Sequence, residues 1–211
     1  MNKAVMISIQ PHWCDLIANY IKEYEMRKSK PTIDIPFKGY IYCTLAKDYS
    51  IRLGDCGRAA TDSLWLVDGK IVMSDGLEFW ANGVSDYKCV NGQVIGEFIC
   101  DKIYAVNNYG DRFIVDGEDA SVTSKVMEGS CVSFADMKKY AGSKERLYAW
   151  HISDLDIYKE PKELCDFYRM KKCNFCKDEH ESITCAYNDT CIVPTILSKP
   201  PQSWQYVEEL A

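Results

Sequence analysis

The sequence has no long apolar run: nothing in its 211 residues approaches the roughly 18 consecutive apolar positions that cross a bilayer. The opening stretch "MNKAVMISIQPHW" is interrupted at Gln10, Pro11 and His12. It is shorter than a signal h-region and has no small-residue cleavage pattern, so a cytoplasmic protein without a membrane partner is expected. Positive charge is also in deficit. The formal net charge is −6, which excludes a global field drawing the chain to nucleic acid, so any such site must be a local basic patch. Internal repeats, heptads and low-complexity tracts are absent as well, which leaves neither a solenoid nor a coiled coil to consider.

What is present suits a folded domain. Hydrophobic residues make up 47% and charged residues 27% of the chain, enough apolar material for a real core. Cysteine is plentiful, at eleven, but an odd count in a reducing compartment argues against a disulfide framework. Seven of the eleven, Cys14 to Cys165, are scattered among apolar neighbours and read as small buried hydrophobes.

Periodicity sets out the elements. "MISI" (6–9) reads as a buried strand. From Pro11, Trp13, Leu16, Ile17, Tyr20 and Ile21 recur at helical spacing, with proline at the favoured first turn. Tyr24–Lys28 alternates as a strand, and "GYIYCTLA" (39–46) reads as a central one. "LWLVDGKIVM" (64–73) carries an Asp68-Gly69 hairpin turn, and "VIGEFICDKIYAV" (94–106) reads as one long strand with a bulge or close approach at Gly96. "RFIV" (112–115) pairs with a neighbour. Ser133 begins a helix that Gly142 ends, and "LYAWHISDLDIY" (147–158) is a strand pair or a bent strand. "PKELCDFYRM" (161–170) reads as a short proline-opened helix, and Ser203–Glu208 as a last strand. The fold class is α+β, with strands predominating round a small barrel.

One charged turn stands out. Lys22, Glu25 and Arg27 form "K-x-x-E-x-R" between the first helix and the next strand. On a strand, Glu25 and Arg27 share a face while Tyr24 and Met26 take the other, and Lys22 lies close enough to converge on the charged one. Such a group could bind a phosphate or base edge, with Arg27 supplying a planar fork and Glu25 holding it. The plain alternative is a solvated ion pair on a strand surface. Lys28 and Lys30 extend the basic run. Lys47, Arg52 and Arg58 follow in a loop, where the arginines read as solvated.

This order of strand, helix, charged turn and strand resembles the ASCH family of the PUA-like superfamily, whose signature is G-x-K-x-x-E-x-R. "GYIYCTLAK", "GQVIGEFICDKIY", "YAWHISDLDIYKEPKEL" and "PPQSWQYVEE" extend the likeness to phage- and prophage-type members over most of 5–46, 92–168 and 199–209. The signature glycine is replaced by Tyr20. The resemblance implies a PUA-like β-barrel flanked by short helices, with an inserted hairpin and a Cys-rich C-terminal segment. Residues 1–170 would form the core, with an insertion at about 47–91; 171–198 a zinc loop; and 199–211 a strand returning to the barrel.

The resemblance further implies binding of RNA or a nucleotide-like ligand, in a cleft centred on Lys22, Glu25 and Arg27. Lys28, Trp13 and His151 join them as ligand-binding candidates. Trp13 and Trp204 could equally be core residues, and His151 a structural histidine. A rival reading is a hydrolase acting on a modified nucleoside (an amidohydrolase) or on RNA (a ribonuclease), with Lys22 and Glu25 transferring protons. In the cytidine-deacetylating relatives a threonine nucleophile matches Glu25, and that hydroxyl is absent here. A third reading is a phage-type factor meeting a host protein.

"CNFCKDEHESITCAYNDTC" gathers Cys173, Cys176, Cys185 and Cys191, with His180 a substitute ligand. A Cys-x-x-Cys loop turns two thiolates towards one ion, and the later pair completes a tetrahedral structural zinc site. Redox-active or simply reduced thiols are the alternatives. Elemental analysis of purified protein should find about one zinc per chain; a metal-free sample whose C-terminal segment is folded would contradict the site.

Overall fold

A computed structural model describes residues 4–46, 52–54, 65–67, 70–72, 78–80, 87–172 and 192–209. The four clustered cysteines, Lys47 and Arg58 lie outside them, and with them most of the 47–91 insertion. Among the described residues no group of three or more His, Cys, Asp or Glu could hold a metal. No helix among them is long and apolar enough to cross a membrane.

Two sheets organise the chain. The larger is seven-stranded, in the order β13 (Ser153–Lys162), β9 (Val94–Cys100), β3 (Phe37–Cys43), β1 (Ala4–Ile9), β16 (Trp204–Glu209), β14 (Phe167–Lys172) and β15 (Ile192–Ile196). The smaller runs β11 (Phe113–Val115), β10 (Ile103–Asn108), β12 (Arg146–His151) and β2 (Tyr24–Arg27). The class is α+β, as expected. Among the described residues no pairing closes either sheet or joins the two, so an open pair of sheets sharing a core stands where a barrel was expected. Short strands also pair within 47–91: β4 (Arg52–Gly54) with β8 (Tyr87–Cys89), and β6 (Lys70–Val72) with both β5 (Trp65–Val67) and β7 (Glu78–Trp80).

Strand β1, "AVMISI", is buried at all six positions. It runs parallel to β3 and antiparallel to β16, so water reaches neither edge. Val5, Ile7 and Ile9 feed one apolar cluster with α1 (Pro11–Ala18); Ala4 and Met6 feed another on the opposite face, with Tyr40, Phe167 and Val207. From the smaller sheet, Trp150 enters the first cluster fully buried and edge-on to Phe37 at 5.7 Å between ring centroids, and Ile103 and Tyr148 pack against it. The other face of the smaller sheet is covered by α2 (Ala120–Ser130) and α3 (Phe134–Ala141), packed on Tyr24, Met26, Val106 and Leu147.

Helix α3 has the ends its sequence predicts: the Ser133 side chain accepts from the Asp136 amide, and Gly142 closes it. Three expectations are corrected. Residues 94–106 form two strands in different sheets, because the chain turns at Asp101–Lys102. Residues 161–170 are no helix: they complete β13, pass through a 3₁₀ turn at Leu164–Asp166, and enter β14. Pro161 is tolerated because β13 is an edge strand, where a missing N–H costs no ladder bond. Helix α1 stops at Ala18, which leaves Tyr20 and Ile21 exposed. Helix α2 had no counterpart in the reading of the sequence.

At Gly96 the backbones of β9 and β13 approach closely. A Cβ there would lie 2.4 Å from the Asp156 carbonyl oxygen, a backbone atom that no rotamer can relieve. Gly96→Ala should therefore lower stability by about 1–3 kcal/mol, read as a lower urea midpoint with an unchanged m-value.

Candidate functional site

The site begins with a helix end. Helix α2 leaves its last carbonyls without intrahelical donors, and Cys131 caps it in the left-handed region at φ 57°. Gly129 is needed just before, since a Cβ there would come within 2.8 Å of the Tyr24 ring. The chain can thus bring β2 against the helix, where the Glu23 amide donates to the Gly129 carbonyl at 2.8 Å. Lys22 then lies at the helix C-terminus and donates a short hydrogen bond from Nζ to the Ser130 carbonyl, where the helix dipole favours a cation.

Strand β2 supplies the rest. Its ladder with β12 sets Glu25 opposite Trp150 and Arg27 opposite Tyr148, on the face turned towards the larger sheet. Tyr24 and Met26, opposite His151 and Ala149, take the face under α2 and α3. The Glu25 carboxylate lies between two cations, Oε1 at 3.0 Å from Arg27 Nη2 and Oε2 at 3.5 Å from Lys22 Nζ. Arg27 also donates to the Ser8 carbonyl on β1 at 2.6 Å and to Ser203 Oγ beside β16 at 3.4 Å. Among the described residues its Nε and the Trp150 indole N–H are buried without a hydrogen-bond partner.

The group is no solvated ion pair. Lys22 is 2% exposed, and Glu25 and Arg27 are each 7% exposed. Burial lowers the Lys22 pKa below the usual lysine range, and the attraction of Glu25 offsets this only in part. Burial pushes the neighbouring Tyr140 and Cys131 up, so both are neutral at physiological pH. One carboxylate for two cations leaves the group one positive charge in excess. Trp13 roofs it, its ring centroid 4.9 Å from Lys22 Nζ.

The predicted residues divide. Lys22, Glu25, Arg27 and Trp13 converge. Lys28 is exposed at the rim, its Nζ 4.9 Å from the Tyr140 ring centroid, and Lys30 lies 5.9 Å from that of Tyr148. Trp204 donates from Nε1 to Ser29 Oγ at 3.1 Å. His151 points to the opposite face of the sheet, 5.0 Å from the Tyr24 ring, with its Nδ1 2.6 Å from Asp101 Oδ1. That hydrogen bond holds the Asp101 carboxyl below the usual range, against a desolvation that raises it. A cavity of about 320 Å³ opens beside the Tyr20–Glu23 turn, where His151 and Lys125 line it. The Ser8 and Ser130 carbonyls were missed by the sequence reading; as backbone acceptors they leave no residue-type signal.

Tyr20 takes the left-handed conformation, φ 59°, at the position where the signature has glycine. The turn survives the replacement, at a cost of about 1–2 kcal/mol for a residue with a Cβ.

The sequence matches no family model and no curated protein. In structure the chain is similar to the ASCH protein of Zymomonas mobilis, at 15% identity over 98% of this chain and 88% of that one, with a TM-score of 0.49. Two substituted forms of that protein are similar as well. One is 15% identical over 98% and 91% of the two chains, with a TM-score of 0.48. The other is 14% identical over 98% and 89%, also with a TM-score of 0.48. These neighbours carry the name of the family that the "K-x-x-E-x-R" turn resembles.

Removing the charge of Glu25 would leave two buried cations facing each other. Glu25→Gln should cost about 3–5 kcal/mol, measured by denaturant titration at neutral pH; a loss under 1 kcal/mol would mean that water solvates the group.

Proposed function

We propose that the protein binds single-stranded RNA along the Lys28–Lys30 rim, with the buried Lys22–Glu25–Arg27 group as the fixed positive anchor beneath it. The observation that carries this reading is the uncompensated positive charge of that group in a chain whose net charge is −6. A buried cation held by carbonyl oxygens and a carboxylate is already oriented, so binding an anion costs little reorganisation. Phosphates would meet Lys28 and Lys30, and bases would lie against Tyr140 and Tyr148 in the sequence-tolerant manner of aromatic platforms.

Catalysis by the same group is the weaker reading. A general base must give up its proton, yet Lys22 Nζ donates to the Ser130 carbonyl and faces Glu25, two acceptors that hold the proton in place. Both Glu25 oxygens face cations, which suits an electrostatic brace better than activation of a water.

Lys28→Ala with Lys30→Ala changes only exposed residues. The pair should weaken retention of a labelled single-stranded RNA at low salt and flatten the log–log salt dependence by about 0.7 for each phosphate no longer neutralised. Absence of RNA retention by the unaltered protein at low salt would overturn the proposal.

A further inference from the structure

Helix α1 and strand β3 each bring one cysteine to the same place in the core. Cys14 lies in the middle of α1 and Cys43 ends β3; both are free thiols, wholly buried in the apolar cluster that these two elements share with β1. The parallel ladder sets Ile9 opposite Cys43, and the Thr44 amide donates to the Ile9 carbonyl at 2.8 Å. The Cys14 thiol donates to that same carbonyl, with Sγ at 3.6 Å. Both segments therefore converge on one carbonyl oxygen, and the two thiols meet beside it in a hydrogen bond of their own. Burial first, and then this bond, raise Cys14 well above the ordinary thiol range. The other contacts of Cys43 Sγ are long, 3.8 Å to Asn91 Oδ1 and 3.9 Å to the Thr44 carbonyl.

We propose that Cys14 and Cys43 are a modification site, a thiol pair that a peroxide converts into an intramolecular disulfide joining α1 to β3. A disulfide needs its sulfurs about 2 Å apart, so two thiols already in contact have only to turn towards each other. One sulfur attacks a peroxide oxygen, the O–O bond breaks, and a sulfenic acid and a water form. The second sulfur then displaces the sulfenic hydroxyl, which leaves as water with the second thiol's proton. Two thiols and one hydrogen peroxide thus become one disulfide and two waters, and the two electrons lost by sulfur are gained by the peroxide oxygens. With both sulfurs sealed from water and Cys14 held protonated, oxidation is slow, and the finished bond is shielded from reductants by the same burial. The loop it closes contains β2 and the Lys22–Glu25–Arg27 group. It also fixes the helix whose Trp13 ring lies over Lys22. The proposal uses none of the charged residues and does not depend on the reading of the basic rim.

Peptide mapping of the full chain tests it. Trypsin releases Cys14 within residues 4–22 and Cys43 within residues 39–47, and neither peptide holds another cysteine. The folded protein is treated with hydrogen peroxide until the exposed Cys165 is oxidised, then denatured with an alkylating agent to block exchange, and digested without reductant. The two peptides should be recovered joined, about 2 Da lighter than their sum for the two hydrogens lost, and a reductant should part them. The oxidised protein should melt roughly 5–10 °C higher than the reduced one, because the closed loop restricts the unfolded chain. Cys43→Ser given the same treatment should show neither the joined peptide nor that rise. Recovery of both peptides separately in alkylated form, a bond from Cys14 to any other cysteine, or a joined peptide that forms only when urea is present during oxidation would each overturn the proposal.

Discussion

The carboxylate of Glu25, gripped by Lys22 on one oxygen and Arg27 on the other, ties the smaller sheet to the end of α2 and to the larger sheet, with which it shares no strand pairing among the described residues. Through Lys22 it reaches the end of α2; through Arg27 it reaches β1 and the approach to β16. The apolar clusters press sheets and helices together without direction, whereas this group fixes how they meet. Buried ions are costly to desolvate, so such a group is weak evidence for stability taken by itself. Its effect is geometric.

Parts of this were legible in the residues. The alternation of "YEMR" places Glu25 and Arg27 on one face and Tyr24 and Met26 on the other, because a strand has a period of two whatever surrounds it. Serine and glycine at the two ends of α3 mark that helix by local hydrogen bonding alone. The depth of the charged face was not legible. A buried ion group and a solvated ion pair share one pattern, and the partners that make burial tolerable are carbonyls of Ser8 and Ser130, distant in sequence.

The remaining differences have the same origin in tertiary context. Pro161 resembles a helix start until β13 is known to be an edge. The break at Asp101–Lys102 has no glycine or proline, and the chain turns there because Cys100 belongs to one core and Val106 to another. In α2, "ASVTSKVMEGS" is rich in serine, threonine and valine, which favour helix poorly, so its signal lies mainly in the Asp119 cap and in Val122 and Val126 packing on the small sheet. His151 and the charged turn are near in space yet on opposite faces of one ladder, a distinction that only register supplies.

Strand β1 lies at the middle of the large sheet, with β16 as one of its two neighbours, and Ser8 Oγ donates to the Pro201 carbonyl across 193 positions of sequence. During synthesis the first strand therefore emerges long before the partner that completes it. Its five core-forming residues, Ala4, Val5, Met6, Ile7 and Ile9, stay without their full cover until β16 has left the ribosome. Such remote closure slows folding and lengthens the time for which an apolar edge is open to other chains. Arg27, which holds the Ser8 carbonyl from a strand made soon afterwards, is placed to guard that edge while β16 is still to come.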